Sequence, residues 1–220
     1  CTFTVTVTDT ESPVVTCPAN VNLENEPGKC SATAFYADAT ATDNCAVQKV
    51  ERIDGRASGL MFPVGVSYIT YRATDIYGNS STCSFSVEIR DTEAPRMVCL
   101  MNLTKPNDFG DCSRRMTNIG APSQLSDNCG VNGVTNDSPV DFPIGETVVT
   151  WTIEDIHQNT STCEQTVVIF DNDWPRVVCP QNMKIKTDEG YCEASNVAFN
   201  ATATDNCPGV MLEYDHEPNF

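Results

Sequence analysis

The chain has 220 residues, 40% of them hydrophobic, and a formal net charge of −17. Its length and composition fit one or two globular domains and exclude a disordered or collagen-like chain. The acidic balance argues against nucleic acid as a partner, because phosphate binding needs clustered Lys and Arg, and it favours Ca²⁺ or a cationic surface. No apolar run reaches the roughly 20 residues that span a bilayer, so we expect a soluble segment without membrane contact. The opening CTFTVTVTDT lacks the parts of a signal peptide, and we expect any targeting signal to lie outside this segment.

Short segments with period-2 alternation follow one another along the chain. Residues 1–8, CTFTVTVT, alternate apolar residues with threonine, as a half-buried strand does. SYITYRAT, CSFSVEI and ETVVTWTI are rich in β-branched and aromatic residues, with Tyr71 and Trp151 as expected core anchors. Turn motifs such as EPGK, IDGR and IYGN separate the segments, and no stretch has convincing helical periodicity. This pattern predicts an all-β chain built of antiparallel β-sandwiches.

One block of sequence occurs twice. FPVGVSYITYRATDIYGNSSTC occupies residues 62–83, and FPIGETVVTWTIEDIHQNTSTC occupies residues 142–163. A catalytic site is normally built once from scattered residues, whereas a recurring block indicates a unit that is copied and stacked. Within each block we expect the Phe to fill one end of the core, the Pro to fix φ, and the Gly to permit the turn into the next strand.

Three short acidic segments that end in proline, VTDTESP, IRDTEAP and IFDNDWP, mark the repeat boundaries. Such linkers predict neighbouring units that are semi-rigid rather than freely jointed. We interpret the chain as part of a longer array. Its predicted parts are the last strand of a preceding repeat (1–8), two whole repeats (9–90 and 91–170) and the N-terminal part of a further repeat (171–220).

The 12 cysteines recur at matching positions. Zinc is the rival to disulfides, but the sequence has no C-x-x-C pair and neither His lies at ligand spacing from a cysteine. Disulfides are therefore expected, and they indicate an oxidising compartment. The cysteines are Cys1, Cys17, Cys30, Cys45, Cys83, Cys99, Cys112, Cys129, Cys163, Cys179, Cys192 and Cys207.

Four cysteines in each whole repeat allow three pairings, and we predict two disulfides inside each repeat. The end of the second strand and the start of the last strand should share one pole of the sandwich, which favours a bond between the third and fourth cysteines of each repeat. The bond between the first and second cysteines then follows by elimination. The favoured pairs are Cys45–Cys83, Cys129–Cys163, Cys17–Cys30 and Cys99–Cys112.

N-x-S/T sequons are consistent with the same compartment. Asn79 and Asn159 occupy the same place in two repeats, just before the S-T-C strand, and we favour a turn role over a glycan for both. The candidate glycosylation sites are Asn79, Asn102, Asn136, Asn159 and Asn200.

The motifs DTESPVVTCP, PGKC, ATDNC, FPVG, YRATDIYGN and STCSF follow one another in the first repeat. In this order they resemble the hyalin repeat, an extracellular module, and the resemblance covers nearly the whole chain. It implies tandem, disulfide-stapled sandwiches of the immunoglobulin-like or fibronectin type III-like kind, with roles in adhesion and matrix assembly. The second repeat departs from the pattern at Leu100, where the first has Pro, and at Gln158, where the first has Gly.

No enzyme motif accompanies this pattern. The sequence has no G-x-S-x-G, no H-E-x-x-H and no phosphate-binding Gly loop, and His157 and His216 belong to no shared constellation. We therefore expect a non-enzymatic structural and adhesive protein, whose repeats form a rod or filament and associate with neighbouring repeats or chains, or with extracellular proteins or glycans. The alternatives are spacer repeats of a secreted receptor or ligand-binding scaffold, and an accessory module of a secreted enzyme.

No cofactor is required, but the loops expected at the linker pole of each sandwich carry enough carboxylates for Ca²⁺, which takes about 6 to 8 oxygen ligands. We hypothesise that Ca²⁺ stiffens the junctions between repeats. Asp-Asn pairs also form turns without metal, and this alternative stays open. The candidate ligands are Asp9, Glu11, Asp43, Asn44, Asp75, Asp91, Glu93, Asp127, Asp155, Asp171, Asp173 and Asp205.

Overall fold

The computed structural model describes residues 1–195, 197 and 200–213, and every regular element in them is a β-strand. His216 lies outside these residues. Within the described part, no helix is long and apolar enough to cross a membrane. The chain divides into two compact units: one contains residues 1–98, 124–135 and 152–162, and the other contains residues 99–123, 136–151 and the described residues from 163 onward.

The first repeat is built from short strands around two long ones. Its strands are β1 (Val14–Thr16), β2 (Val21–Glu24), β3 (Ser31–Ala34), β4 (Thr40–Thr42), β5 (Val47–Asp54), β6 (Leu60–Pro63), β7 (Gly65–Asp75) and β8 (Ser80–Arg90). A four-stranded sheet has the order β2-β8-β7-β5, and the pairs β1–β4 and β3–β6 complete the repeat.

The core of the first repeat lies between these layers. β7 and β8 pair antiparallel with Ile69 opposite Phe85, and both side chains are buried as the alternation predicts. Ala32 of β3 and Phe62 of β6 belong to the same buried cluster, so the two layers form a sandwich. Phe62 is fully buried, as expected from the FPVG motif.

The predicted β-sandwich is confirmed, but β2 runs parallel to β8, with Val21 opposite Val87, so this edge of the sheet departs from the antiparallel pattern. The chain leaves the β1–β4 pair before β2, and there Pro18 cannot donate to a strand ladder because it has no N–H. The interruption lets the next segment join the other sheet. The second repeat has the same break with Leu100 in this place, so proline is not required for it.

The second repeat has the same arrangement. Its strands are β9 (Arg96–Val98), β10 (Leu103–Pro106), β11 (Ser113–Arg115), β12 (Ser123–Ser126), β13 (Val131–Asn136), β14 (Asp141–Pro143), β15 (Gly145–Asp155) and β16 (Thr160–Phe170). The larger sheet has the order β10-β16-β15-β13, and the smaller pairs are β11–β14 and β12–β9. Its largest buried side chains include Phe142, Trp151 and Ile153. Further along, β17 (Arg176–Val178) and β18 (Thr202–Thr204) pair antiparallel.

The opening segment does not form the predicted strand. Residues 1–8 have no strand assignment, and the side chains of Phe3, Val5 and Val7 are 88%, 74% and 84% exposed. An isolated strand has no backbone partner and no apolar face to cover it, so alternation alone does not order the segment.

Candidate functional site

One disulfide staples each whole repeat internally. Cys17 bonds to Cys83, with Cα atoms 5.8 Å apart, and Cys99 bonds to Cys163, with Cα atoms 6.0 Å apart. The predicted pairs of Cys83 with Cys45 and of Cys163 with Cys129 are therefore wrong. Cys17 and Cys83 both pack against the core cluster, which brings the segment after β1 to the middle of β8.

The other two disulfides join one repeat to the next. Cys30 of the first repeat bonds to Cys129 of the second, with Cα atoms 4.7 Å apart, and Cys112 bonds to Cys207, with Cα atoms 4.9 Å apart. The predicted pairs of Cys30 with Cys17 and of Cys112 with Cys99 are wrong, because the loop that carries each of these cysteines points towards the linker. Among the described residues, the exposed and unpaired cysteines are Cys1, Cys45, Cys179 and Cys192.

We call each place where two repeats meet a joint. The first joint consists of loop 26–31, linker 91–95 and turn 127–130, and the second consists of loop 108–113, linker 171–175 and turn 205–207. Residues of the first joint all lie in the first compact unit, and those of the second joint all lie in the second.

Hydrogen bonds accompany the disulfide in the first joint. The side-chain amide of Asn128 donates to the carbonyl oxygen of Lys29 over 3.1 Å. The backbone N–H of Gly28 donates to the carboxylate of Glu93 in the linker over 2.7 Å. Loop, linker and turn are thus held by one covalent bond and by two hydrogen bonds.

The second joint repeats these contacts. Asn206 donates to the carbonyl oxygen of Asp111 over 3.0 Å, and Gly110 N–H donates to Asp173 over 2.8 Å. The residues correspond in order to Asn128, Lys29, Gly28 and Glu93. The joint is therefore a recurring structure and not an accident of one pair of repeats.

The loop that presents Cys30 is held by Glu26. Its carboxylate accepts hydrogen bonds from the ammonium group of Lys29 and from the backbone and hydroxyl of Thr33, at 2.7, 2.9 and 2.7 Å. These bonds, that of Lys29 first, lower the pKa of Glu26 to about 2. Asp188 has the same role further along, where bonds from Ser195 lower its pKa.

Two acidic clusters lie at the linker ends of the repeats. In the first, carboxylate oxygens of Asp9, Asp43 and Asp75 lie within 4.8 Å of one another, and in the second those of Asp91, Asp127 and Asp155 do. The structure thus brings together one linker acid, one acid of the D-N-C turn and one strand-end acid in each repeat.

The strand-end acid of each cluster is fully buried. Asp75 accepts hydrogen bonds from the backbone of Tyr77 and Asn79 and from the side chain of Asn79, each over 2.8 Å. Burial alone would raise the pKa of Asp75, but these bonds outweigh it and lower the pKa below the ordinary value; Asp155 behaves in the same way. These two acids therefore stay ionised and close the turn after the long strand.

Several candidate ligands lie outside the clusters. Glu93 instead accepts from Gly28, and Asp173 accepts from Gly110. Asn44 donates to Asp9 over 3.4 Å. Within the described residues, Glu11, Asp171 and Asp205 belong to neither cluster.

Sequence reasoning missed the joint, although a signal for it exists. A glycine precedes each loop cysteine by two residues in G-K-C, G-D-C and G-Y-C, and an acid occupies the third position of D-T-E, D-T-E and D-N-D in the linkers. These two recurring elements form the glycine-to-carboxylate hydrogen bonds.

His157 takes part in the second acidic cluster. Its Nδ1 lies 3.1 Å from a carboxylate oxygen of Asp91, where the first repeat has Tyr77 instead. Cys129 lies beside this pair, but its sulfur is consumed by the disulfide with Cys30. A thiolate ligand is therefore not available here, and the carboxylates remain the relevant donors.

The sequons fall into two classes. The Nδ2 atom of Asn79, to which a glycan would be attached, donates to Asp75 and to the carbonyl of Asp9, and Asn159 makes the equivalent bonds. Asn102, Asn136 and Asn200 are exposed. The turn role predicted for the first two is consistent with these bonds, and occupancy of the other three stays a prediction.

The comparison with protein families decides the identity of these repeats. A family model described as the HYR domain matches residues 8–89 and 90–169. The chain belongs to the HYR domain family.

Curated relatives support this assignment. The chain is 31% identical over 225 residues to Hyalin of Lytechinus variegatus, covering 96% of this chain and 42% of that protein. It is 31% identical over 161 residues to Hyalin of Strongylocentrotus purpuratus, covering 70% of this chain and 13% of that protein. A third relative is the Sushi, von Willebrand factor type A, EGF and pentraxin domain-containing protein 1 of Rattus norvegicus, with 31% identity over 73% of this chain and 4% of that protein. The chain therefore spans less than half the length of these relatives.

Among solved structures, the HYR chain is similar to extracellular cadherin domains 3–6 of Protocadherin Gamma B2, with a TM-score of 0.38 and 14% identity over 73% of this chain and 53% of that chain. It is also similar to domains EC1-2 of human Mucin-like Protocadherin, with a TM-score of 0.37 and 9% identity over 73% of this chain and 98% of that chain. The HYR family and the disulfides identify the chain as a set of extracellular repeats.

Proposed function

We propose that this chain forms a length of a stiff rod of HYR repeats in an extracellular adhesive or matrix protein. The observation that carries the proposal is the disulfide between Cys30 and Cys129, which bonds one repeat to the next independently of the linker. A linker alone leaves two domains to pivot about a few backbone dihedrals. A second covalent connection beside the linker removes most of that freedom, so force passes from repeat to repeat through two connections.

Paired cysteine variants test the proposed stiffness. Small-angle X-ray scattering of the chain should give a narrow distribution of dimensions, and the variant Cys30→Ser with Cys129→Ser should give a broader one. A matched control, Cys1→Ser with Cys179→Ser, removes the same number of sulfurs and retains the Cys30–Cys129 bond, so it should leave the scattering unchanged. Identical curves for all three proteins would show that the disulfide does not stiffen the junction.

Spacer repeats of a secreted scaffold are the second candidate. The observation that favours them is that the match to the sushi-domain relative covers only 4% of that protein, so HYR repeats also occur as a small part of a larger molecule. Self-association separates the two functions, since a matrix or adhesive rod binds other copies and a spacer does not. Sedimentation velocity over a range of concentrations measures it directly, with the exposed and unpaired Cys1, Cys45, Cys179 and Cys192 replaced by Ser so that new disulfides do not contribute.

We further propose that the two acidic clusters bind Ca²⁺. Three carboxylates within 4.8 Å of one another repel, and a divalent cation offsets that repulsion. The buried Oδ2 atoms of Asp43 and Asp127 accept no hydrogen bond from any described residue, which leaves a ligand atom available at the same position of both repeats. Asp9, Asp43 and Asp75 would hold the ion in the first repeat, and Asp91, Asp127 and Asp155 in the second.

A further inference from the structure

We propose that Cys45 and Cys192 are the two halves of another intermodular joint, through which this chain is bonded head to tail to further HYR repeats. Cys45 would receive the loop cysteine of one repeat, and Cys192 would bond to the D-N-C cysteine of another. The inference extends the joints described above and does not depend on whether the resulting rod is adhesive.

The sequence positions of these two cysteines match those of cysteines that are already bonded. Cys45 occupies the D-N-C position of Cys129 and Cys207, and Cys192 occupies the G-x-C position of Cys30 and Cys112. In both observed joints, a G-x-C cysteine is bonded to the D-N-C cysteine of the following repeat. Cys45 and Cys192 are exposed and unpaired among the described residues, so each is accessible to such a partner.

The surroundings of Cys45 already have the geometry of an occupied joint. The backbone N–H of Cys45 donates to Asp43 over 2.9 Å, as that of Cys129 donates to Asp127 over 2.8 Å. Asn44 lies 3.7 Å from the sulfur of Cys45, and Asn128 lies 3.5 Å from that of Cys129. The turn that receives a loop cysteine is thus formed before the partner arrives.

The linker beside Cys45 also has the joint conformation. Glu11 N–H donates to Asp9 over 3.0 Å, and the equivalent bond from Glu93 to Asp91 measures 3.2 Å. Glu93 uses its carboxylate to hold Gly28 of the preceding repeat. Glu11 occupies the same position, but among the described residues it accepts no hydrogen bond from a loop glycine. Glu11 belongs to neither acidic cluster, and binding the loop glycine of another repeat gives this acid a role.

The other half of the joint is formed at Cys192. Tyr191 N–H donates to the carbonyl of Asp188 over 3.1 Å, as Lys29 N–H donates to that of Glu26 over 2.9 Å. Gly190 has φ 83°, close to the 71° of Gly28. The Cys192 loop therefore presents a glycine N–H, a carbonyl and a thiol in the order that the two observed joints use.

Two hydrogen bonds follow for the new joint, both by analogy with the observed ones. Asn44 donates to the carbonyl of Tyr191, and Gly190 N–H donates to the carboxylate of Glu11. Both halves occur on this chain, so a second copy is a sufficient partner. The contact is head to tail, so each bonded pair leaves one half of a joint open at either end, and further copies can add to it.

Bond formation requires an oxidant, for which a small-molecule disulfide such as oxidised glutathione suffices. The Cys192 thiolate first displaces one glutathione and forms a mixed disulfide. The Cys45 thiolate then attacks the Cys192 sulfur and expels the second glutathione. Two protein thiols lose two protons and two electrons in total, and the glutathione disulfide is reduced to two thiols.

The test uses the whole chain with Cys1→Ser and Cys179→Ser, so that Cys45 and Cys192 are the remaining unpaired thiols. In a glutathione redox buffer, a non-reducing gel should show a ladder of covalent oligomers, and peptide mapping should find Cys45 bonded to Cys192. Adding Cys45→Ser or Cys192→Ser should abolish the ladder. A mixture of these two variants should give one covalent dimer and no higher species.

The competing outcomes are specific. Disulfides between Cys45 and Cys192 (cross-pairs) should exceed disulfides between two copies of the same cysteine (like-with-like pairs) by roughly tenfold. Each of the two expected hydrogen bonds favours the cross-pair by a factor of about two to ten. Like-with-like pairs in statistical proportion would mean random oxidation of exposed thiols, and would overturn the proposal. Absence of any intermolecular disulfide in correctly folded protein would overturn it equally, while leaving the scattering test of stiffness at Cys30–Cys129 unaffected.

Two positioning variants separate a formed joint from simple thiol reactivity. Asn44→Ala and Glu11→Ala remove the expected hydrogen bonds but leave both thiols in place, so each should lower the excess of Cys45–Cys192 pairs roughly threefold. Asn136→Ala, at an exposed position outside the joints, is the matched control and should leave the excess unchanged. An unchanged excess in all three variants would contradict the assignment of Asn44 and Glu11.

Discussion

In the core of the second repeat, the indole N–H of Trp151 donates a hydrogen bond over 3.1 Å to the side-chain oxygen of Gln165. The corresponding pair in the first repeat is Tyr71 and Phe85, at the same offset of residues. There the tyrosine hydroxyl turns to Asp38, to which it donates over 2.7 Å. The aromatic residue at this position of the long strand thus has a hydrogen-bond acceptor in both repeats, which is Gln165 for Trp151 and Asp38 for Tyr71.

Removing the indole donor should destabilise the second repeat. Trp151→Phe leaves the oxygen of Gln165 without its donor in a buried site, and we expect a cost of about 1–3 kcal/mol beyond the loss of ring volume. A double-mutant cycle with Gln165→Leu, followed by urea denaturation, should give a coupling of about 1 kcal/mol. Additive effects of the two substitutions would show that the bond contributes nothing to stability.

The internal disulfides should each support one repeat. Replacing Cys17 and Cys83 by Ala should cost about 2–5 kcal/mol, because a repeat of this size has a limited core and the bond restricts its unfolded chain. Differential scanning calorimetry should show the loss in one transition only. Cys45→Ala is the matched control, since that thiol is exposed and unpaired, and it should change the stability by less than about 0.5 kcal/mol. A single transition that shifts as a whole would indicate that the two repeats unfold as one cooperative unit.

The turn after each long strand offers a reciprocal pair of substitutions. Gln158 has φ 72° where Gly78 has φ 95°, and a side chain in this region costs about 1–2 kcal/mol. Gln158 is exposed and loses no packing when truncated, so Gln158→Gly should stabilise the second repeat by about 1 kcal/mol. Gly78→Gln should destabilise the first repeat by a similar amount. Urea midpoints that move in the same direction for both variants would contradict this account.

Glu26 should make the Cys30 loop sensitive to acid. Its pKa is lowered to about 2 by the bonds from Lys29 and Thr33, so its stabilisation is fully present above the ordinary value of 4.5 and is lost as the pH falls towards 2. Between pH 4.5 and 2, urea midpoints of the native chain should therefore fall more steeply than those of Glu26→Gln. NMR titration of the Glu26 carboxyl measures the pKa itself. Parallel pH profiles for the two proteins would show that the hydrogen bonds from Lys29 and Thr33 to the Glu26 carboxylate do not contribute to stability in solution.

The sequence predicted what depends on local pattern. Alternation identified the long strands, and the FPVG and FPIG motifs placed Phe62 and Phe142 in the core, where both are fully buried. Gly65 and Gly145, which were expected to permit the turn into the next strand, have φ of 107° and 106°, a region that favours glycine. These features depend on residues near one another in the chain, which is the information that a pattern contains.

The cysteine pairing did not follow from pattern. Cys30 and Cys45 recur once per repeat, and the spacing is the same whether a loop meets a turn of its own repeat or of the next one. The choice depends on which pole of the sandwich each loop occupies, and that is set by the packing of distant strands. The parallel edge strand was missed for the same reason, because the change of sheet after β1 is a tertiary event.

Neutralising one acid of a cluster should have opposite effects on stability without and with Ca²⁺. Without Ca²⁺, Asp43→Asn or Asp127→Asn should stabilise the protein, because each removes one of three crowded charges and retains the Oδ1 that accepts from the next backbone N–H groups. With about 10 mM Ca²⁺, a site with a Kd of about 0.1–1 mM should stabilise the native chain by about 1.4 to 2.7 kcal/mol, and each Asn variant should lose the response of its own cluster.

Calorimetric titration and thermal melts with and without chelator measure this reversal. Asp54→Asn is the matched control, because Asp54 is an exposed acid outside both clusters and its loss should leave the Ca²⁺ response intact. A native chain with no heat of Ca²⁺ binding and no change in melting temperature on chelation would show that the six carboxylates act in turns alone. Asp75 and Asp155 each accept three hydrogen bonds without an ion, so the turns do not need Ca²⁺ in order to form.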